Sequence, residues 1–170
     1  RDAMPDGVQL LCAPRKPEWF DEAAADLPGC ARRSGGDRGS DTGRFLLDTI
    51  GELRAAYGLA DLVVVGRTFV DLGGSDMIEP VALGRPTIIG PDTRHFQVIA
   101  DDLLAAGGLR SCARGELPGT VASLLEDTGL RESMIRRGRE LIRARQGATA
   151  ALGDLLRNLA AEAASGTAAS

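Results

Sequence analysis

Residues 61–91, DLVVVGRTFVDLGGSDMIEPVALGRPTIIGP, decide the fold. An apolar, β-branched run from Leu62 to Val65 ends at Gly66, which predicts a buried strand. A loop carrying Gly73-Gly74 follows, and then the pattern Ser75-Asp76-x-x-Glu79, an acidic capping signature for a helix N-terminus. The short helix closes at Gly84. A second β-branched run, Thr87 to Ile89, stops at Gly90-Pro91. Strand, glycine loop, helix start and strand in this order mark the carboxyl edge of a parallel sheet. Free N–H groups meet the positive end of a helix there, and α/β proteins hold a nucleotide or sugar at such an edge.

The flanking sequence repeats the alternation. Residues 8–13 predict a short buried strand stopped by Pro14, and 17–26 a helix with Pro17 in its first turn. A second strand is expected over 29–33, a polar glycine-rich loop over 34–43, and a brief third strand over 45–47. Asp48 or Thr49 then caps a helix that passes through Gly51-Glu52-Leu53 to Tyr57 and ends at Gly58. Beyond Pro91, helices are expected at 93–106, 117–126, 130–146 and 149–163, with a last strand at 109–113. Such alternation implies an α/β fold, a doubly wound and mostly parallel sheet. No linker or repeat divides it, so residues 1–163 read as one domain and 164–170 as a disordered tail.

Composition narrows the function classes. The 170 residues are 44% hydrophobic and 26% charged, as in a globular protein able to build one core. A net charge of −4 and the lack of a dominating basic stripe argue against nucleic acid as a partner. Cys12, Cys30 and Cys112 are odd in number and far apart, without C-x-x-C or Cys/His ligand spacing. Neither a disulfide framework nor a metal site is expected, and a reducing cytosol is the simplest setting. No apolar run is long enough for a membrane span, and no signal peptide is legible. The chain opens on Arg1, and residues 1–7 read as the end of a helix turning into a strand, so a piece of a longer protein is expected.

Three motifs carry a resemblance. They are Pro14-Arg15-Lys16-Pro17-Glu18-Trp19-Phe20, Asp48-Thr49-Ile50-Gly51-Glu52-Leu53, and Gly73-Gly74-Ser75-Asp76-Met77-Ile78-Glu79-Pro80. In this order and at these separations the chain resembles the 3-deoxy-D-manno-octulosonic acid (Kdo) transferases over most of residues 8–145. These are GT-B glycosyltransferases that place Kdo on lipid A precursors. Ser75-Asp76 stands where the family has a His-Asn pair, and Trp19 where it has a second arginine. The resemblance implies the Rossmann-like C-terminal half of a GT-B fold, lacking its first strand. Acceptor site and general base would lie in an absent N-terminal domain, so no catalytic residue is expected in this chain. It also implies transfer of Kdo from CMP-Kdo without a metal or other cofactor, at the cytoplasmic face of the bacterial inner membrane.

Carried over residue by residue, the donor site comprises Pro14, Arg15, Ile50, Gly51, Glu52, Asp76, Met77, Ile78 and Glu79. Arg15 follows a strand, where its fork of donors suits a phosphate or carboxylate; the plainer alternative is a surface pair with Glu18. Ile50-Gly51-Glu52 can read a pyrimidine edge with backbone groups, or be only a capped helix start. A carboxylate suits a diol and not a phosphate, which assigns Glu79 to the ribose hydroxyls. Asp76 holds the loop or touches the sugar; together Asp76 and Glu79 also satisfy a capping box. Gly66, Arg67 and Thr68 end a strong strand and could border the donor. His95, the lone histidine, reads as a surface residue or one behind the site. Arg136, Arg137, Arg139 and Arg143 form either a solvated helix face or a patch for anionic lipid. Two readings of other classes stay open: a stand-alone nucleotide-binding module that docks a separate acceptor subunit, and a sugar-nucleotide epimerase of the same fold.

Overall fold

A computed structural model describes residues 7–36 and 43–167, with backbone only for 148–156 and 158–167. The expected loop over 34–43 therefore falls partly outside the described residues. Strands β1 (Leu10–Cys12), β2 (Ala31–Arg32) and β3 (Arg44–Leu46) form a parallel ladder in the order β1-β3-β2. Strands β4 (Val63–Val65), β5 (Thr87–Ile89) and β6 (Arg110–Ser111) form a second parallel ladder in the order β4-β5-β6. The α/β class and the parallel pairing are as the alternation implies, with the sheet delivered in two ladders.

Strand position decides burial. β5 is the middle strand of its ladder, and all three of its residues are buried. β1 is expected to be buried as well but lies at a ladder edge, with Leu10 and Leu11 exposed at 36% and 38%. An edge strand has one neighbour fewer to cover it, and Val64 of the edge strand β4 is exposed for the same reason.

Successive residues of β5 face opposite sides of the sheet. Ile89 joins Val63, Val65, Met77, Val81, Ala100 and Leu103 in the larger core cluster. Ile88 joins Cys112, Leu124 and Met134 in the smaller one. After α1 (Phe20–Asp26) and α2 (Leu53–Leu59), helices α3 (Ile78–Ala82) and α4 (Gln97–Ala105) cover the first side, and α5 (Leu117–Glu126) covers the second. α6 (Thr128–Thr167) supplies Ile142 to one cluster and Met134 to the other.

The two C-terminal helices expected at 130–146 and 149–163 are one continuous helix, α6. Gly147 costs only about 1 kcal/mol in a helix interior, and neither it nor the alanines around it breaks the ladder of hydrogen bonds. Residues 164–167, expected in a tail, are the last of that helix, and 168–170 lie outside the described residues. Three of its arginines are occupied with the fold. Arg131 donates to the carbonyl oxygens of Leu124 and Leu125 at the end of α5, Arg139 donates to Ala82 O at 3.2 Å, and Arg145 pairs with Asp102. Cations at helix C-termini satisfy orphan carbonyls and complement the dipole. Among the described residues, no helix is long and apolar enough to cross a membrane.

Asp48 fastens the first ladder. Its buried carboxylate accepts bonds from Ser34 Oγ (2.5 Å), the Ser34 N–H (2.8 Å) and Arg32 Nε (2.7 Å). Burial alone would raise its pKa, but the bonds from Ser34 and Arg32 outweigh it and hold the group down to about 2. A folded-state value below the unfolded one means stability that is complete above about pH 4 and lost as the pH falls through about 2. Melting temperature measured from pH 5 down to pH 2 is expected to fall less steeply for Asp48→Asn than for the parent. Parallel curves would remove Asp48 as a source of the acid sensitivity.

Candidate functional site

The C-terminal ends of β1 and β3 lie side by side, since Cys12 pairs in register with Leu46 and the Leu47 N–H donates to Cys12 O at 2.8 Å. Chain leaving these ends carries Pro14-Arg15 on one strand and Ile50-Gly51-Glu52 on its neighbour. Arg15 is exposed and has no partner among the described residues. The pair with Glu18 is not made: Glu18 pairs with Lys16 at 3.2 Å, and the Lys16 ammonium stands 5.2 Å over the Trp19 ring. Arg15 is thus an uncommitted guanidinium at the sheet edge.

The helix after β3 starts later than the sequence implies. α2 runs Leu53–Leu59, and Gly51 precedes it at φ 91°, a left-handed conformation that cannot continue a helix. Asp48 is not its cap, because its carboxylate is already taken by Ser34 and Arg32. This leaves Ile50 exposed and open space over Gly51, where nothing lies within 4 Å of a notional Cβ. A flat ring can reach the backbone there.

Both glutamates of the candidate site carry an arginine. Arg33 makes a forked pair with Glu52, Nη2 to Oε1 at 2.8 Å and Nε to Oε1 at 3.1 Å, while Thr49 Oγ1 donates to Oε2. The Arg33 bonds and the Thr49 hydroxyl hold the Glu52 carboxyl below its ordinary range. Arg54 donates to Glu79 Oε1 at 3.2 Å, which ties the start of α2 to α3. Tyr57, one turn along α2, has its pKa raised by burial and then by the charges of Glu79 and Asp76. The second and third motifs are therefore neighbours in space.

The capping box expected of Asp76 and Glu79 is only half made. Met77 occupies the N-cap position, and Asp76 Oδ1 accepts the Ile78 N–H at 2.7 Å. Glu79 does not fold back; its carboxylate turns to Arg54 and stays about one-third exposed. Met77 is fully buried in the larger core, so only its backbone is left to meet a ligand, while Ile78 is half-buried against the same core. α3 has five residues and Asp76 takes its first N–H, so arginines remain the main positive groups of the site.

Gly73 and Gly74 both have positive φ, 78° and 85°. Asp92, which no sequence motif marks, holds the start of this turn: its Oδ2 accepts the N–H groups of Leu72 (2.9 Å) and Gly73 (2.6 Å). The His95 N–H donates to Gly73 O at 3.0 Å, and the His95 ring is packed on Gly73, so His95 stands behind the loop. Gly66, Arg67 and Thr68 form a 3-10 turn in which Thr68 is fully buried and Arg67 donates to Leu72 O at 3.0 Å. The roles of Arg33, Arg54 and Asp92 rest on contacts 19 to 25 residues away in sequence, and no local pattern announces them.

Two parallel ladders wrapped by helices, with these motifs on loops beyond the strand ends, define a Rossmann-like α/β domain of the kind that forms the C-terminal half of GT-B glycosyltransferases. The chain belongs with the 3-deoxy-D-manno-octulosonic acid transferases, as their C-terminal domain. It is 39% identical over 147 residues to the 3-deoxy-D-manno-octulosonic acid transferase of Bordetella pertussis, covering 82% of this chain and 34% of that protein. Identity to the Haemophilus influenzae enzyme of the same name is 32% over 155 residues, 87% of this chain and 36% of the relative. The chain thus spans about a third of the length of the curated relatives it matches. Among solved structures, the C-terminal CMP-Kdo binding domain of WaaA from Acinetobacter baumannii superposes with a TM-score of 0.71 at 27% identity, covering 78% of this chain and 74% of that one. No protein-family model matches the chain.

Proposed function

We propose that this chain is the donor-binding half of an enzyme that moves Kdo from CMP-Kdo to a lipid A precursor, with inversion and without a bound metal. The likeness of 78% of the chain to a domain described as CMP-Kdo binding supports this reading. In it, Arg15 meets the CMP phosphate, Ile50 and Gly51 receive the cytosine edge, and Glu79 accepts hydrogen bonds from the ribose hydroxyls. Arg54 leaves Glu79 or shares it when the diol arrives, an easy exchange because exposed ion pairs contribute at most about 1 kcal/mol. An acceptor hydroxyl attacks the anomeric carbon, and the bond from that carbon to the phosphate oxygen breaks. CMP departs with the electron pair, its developing charge met by Arg15. The acceptor proton passes to a general base supplied from outside this chain, as does the acceptor site. The full protein works at the cytoplasmic face of the inner membrane. Exposed Arg136, Arg137 and Arg143 on α6 form a solvated face first and an anionic-lipid contact second.

Calorimetric titration of CMP, CDP and UDP tests the donor. CMP is expected to bind most tightly. Loss of a charge-assisted bond is worth about 1.5–3 kcal/mol, so Arg15→Ala and Glu79→Ala should each weaken CMP roughly 10- to 100-fold. Preference for UDP would move the reading to a UDP-sugar enzyme of the same fold. Absence of CMP binding, also in a protein extended by its upstream coding sequence, would overturn the site.

A further inference from the structure

The loop that presents Asp76 and Glu79 is shaped by a residue outside it. Asp92 follows β5 directly after Gly90-Pro91, and its own N–H donates to Thr68 O at 3.0 Å, anchoring it to the 3-10 turn after β4. Its Oδ2 gathers the Leu72 and Gly73 N–H groups at 2.9 and 2.6 Å. Its Oδ1 accepts Arg94 Nε at 2.9 Å, and Arg94 also pairs with Asp71 at the start of the loop. The Asp92 carbonyl oxygen stands 2.8 Å from where a Cβ on Gly74 would be. Two successive left-handed glycines have the widest conformational freedom of any dipeptide, so one loop shape requires outside bonds. Asp92 supplies two of them with a side chain only 13% exposed, where charge-assisted bonds are strongest. Three residues after Gly73 the chain reaches Asp76, and α3 with Glu79 follows at once.

We propose that Asp92 is a positioning residue for the nucleotide site: without touching the ligand, it sets the Gly73-Gly74 turn so that the Asp76–Glu79 segment faces the donor. This rests on the CMP reading above. Asp92 then acts through Glu79, which makes the claim separable from a plain contribution to stability. A purely structural role lowers the melting temperature and leaves the affinity of the folded protein unchanged.

The test is a double-mutant cycle on the full chain, with CMP as the probe, calorimetry for affinity and near-ultraviolet circular dichroism to confirm folding. Asp92→Ala is expected to weaken CMP about tenfold or more, and Asp92→Asn about threefold, because a neutral acceptor makes roughly half as strong a bond. Added to Glu79→Ala, either substitution should cause little further loss, since coupled residues are not additive. If Asp92→Ala does not fold, Asp92→Asn carries the cycle. A folded Asp92 variant that binds CMP like the parent, or losses that add fully to those of Glu79→Ala, overturns the positioning role and leaves the CMP reading standing. Failure of the parent to bind CMP removes both.

Discussion

Gly90→Ala is expected to cost about 3 kcal/mol of stability and to lower the melting temperature by about 6–12 °C. The reason is close approach and not backbone freedom. A Cβ at this buried position would stand 2.4 Å from Thr68 O, 2.7 Å from the Thr68 carbonyl carbon and 2.8 Å from Phe69 Cγ. The first two are backbone atoms, which cannot swing aside as a side-chain end can. Thr68 is moreover the stitch between β4 and β5: its Oγ1 donates to Val65 O at 2.5 Å and accepts the Gly90 N–H at 2.6 Å. Pushing the turn away therefore strains or breaks buried hydrogen bonds, each worth about 1–3 kcal/mol when a group is left unpaired. Thermal unfolding followed by circular dichroism checks this. A loss below about 1 kcal/mol would show that the turn relaxes freely, contrary to close-packed interiors.

Met77→Ala should cost about 2–5 kcal/mol, the range for emptying a buried methionine site. Met77 is fully buried in the larger core, which also holds Val63, Val81 and Leu103, although it lies inside the third motif. Its side chain belongs to the core and its neighbour Glu79 to the site. Chemical denaturation is expected to show the loss with an unchanged dependence on denaturant. CMP affinity of the folded variant is expected to shift by less than about threefold, well short of what a lost charge-assisted contact costs. A variant of parental stability that fails to bind CMP would reverse this assignment.

The fold was largely legible because its signals are short-range. Residues 61–91 predict strand, glycine loop, helix and strand, and the structure has them in that order, since β-branched runs and glycines act through local backbone preference. Helix starts were less legible. The sequence pattern puts Gly51 inside a helix that in the structure begins only at Leu53, because sequence does not show which glycines take positive φ. Asp48 looked like a cap and is a buried acceptor for Ser34 and Arg32, a choice made by residues 14 and 16 positions away. Asp76 and Glu79 have the spacing of a capping box, but an arginine at position 54 competes for Glu79 and takes it. For both carboxylates a partner distant in sequence outbid a near one.

By itself, then, the sequence determined the α/β class, the parallel strands and the three loops at their ends, since periodicity, β-branching and glycine placement are properties of neighbouring residues. Tertiary structure alone decided which strands lie at edges, that Arg15 is uncommitted while Glu52 and Glu79 each hold an arginine, and that Asp92 shapes the glycine loop. Those outcomes depend on which groups meet in space and compete for the same hydrogen bonds, and only the folded chain brings the competitors together.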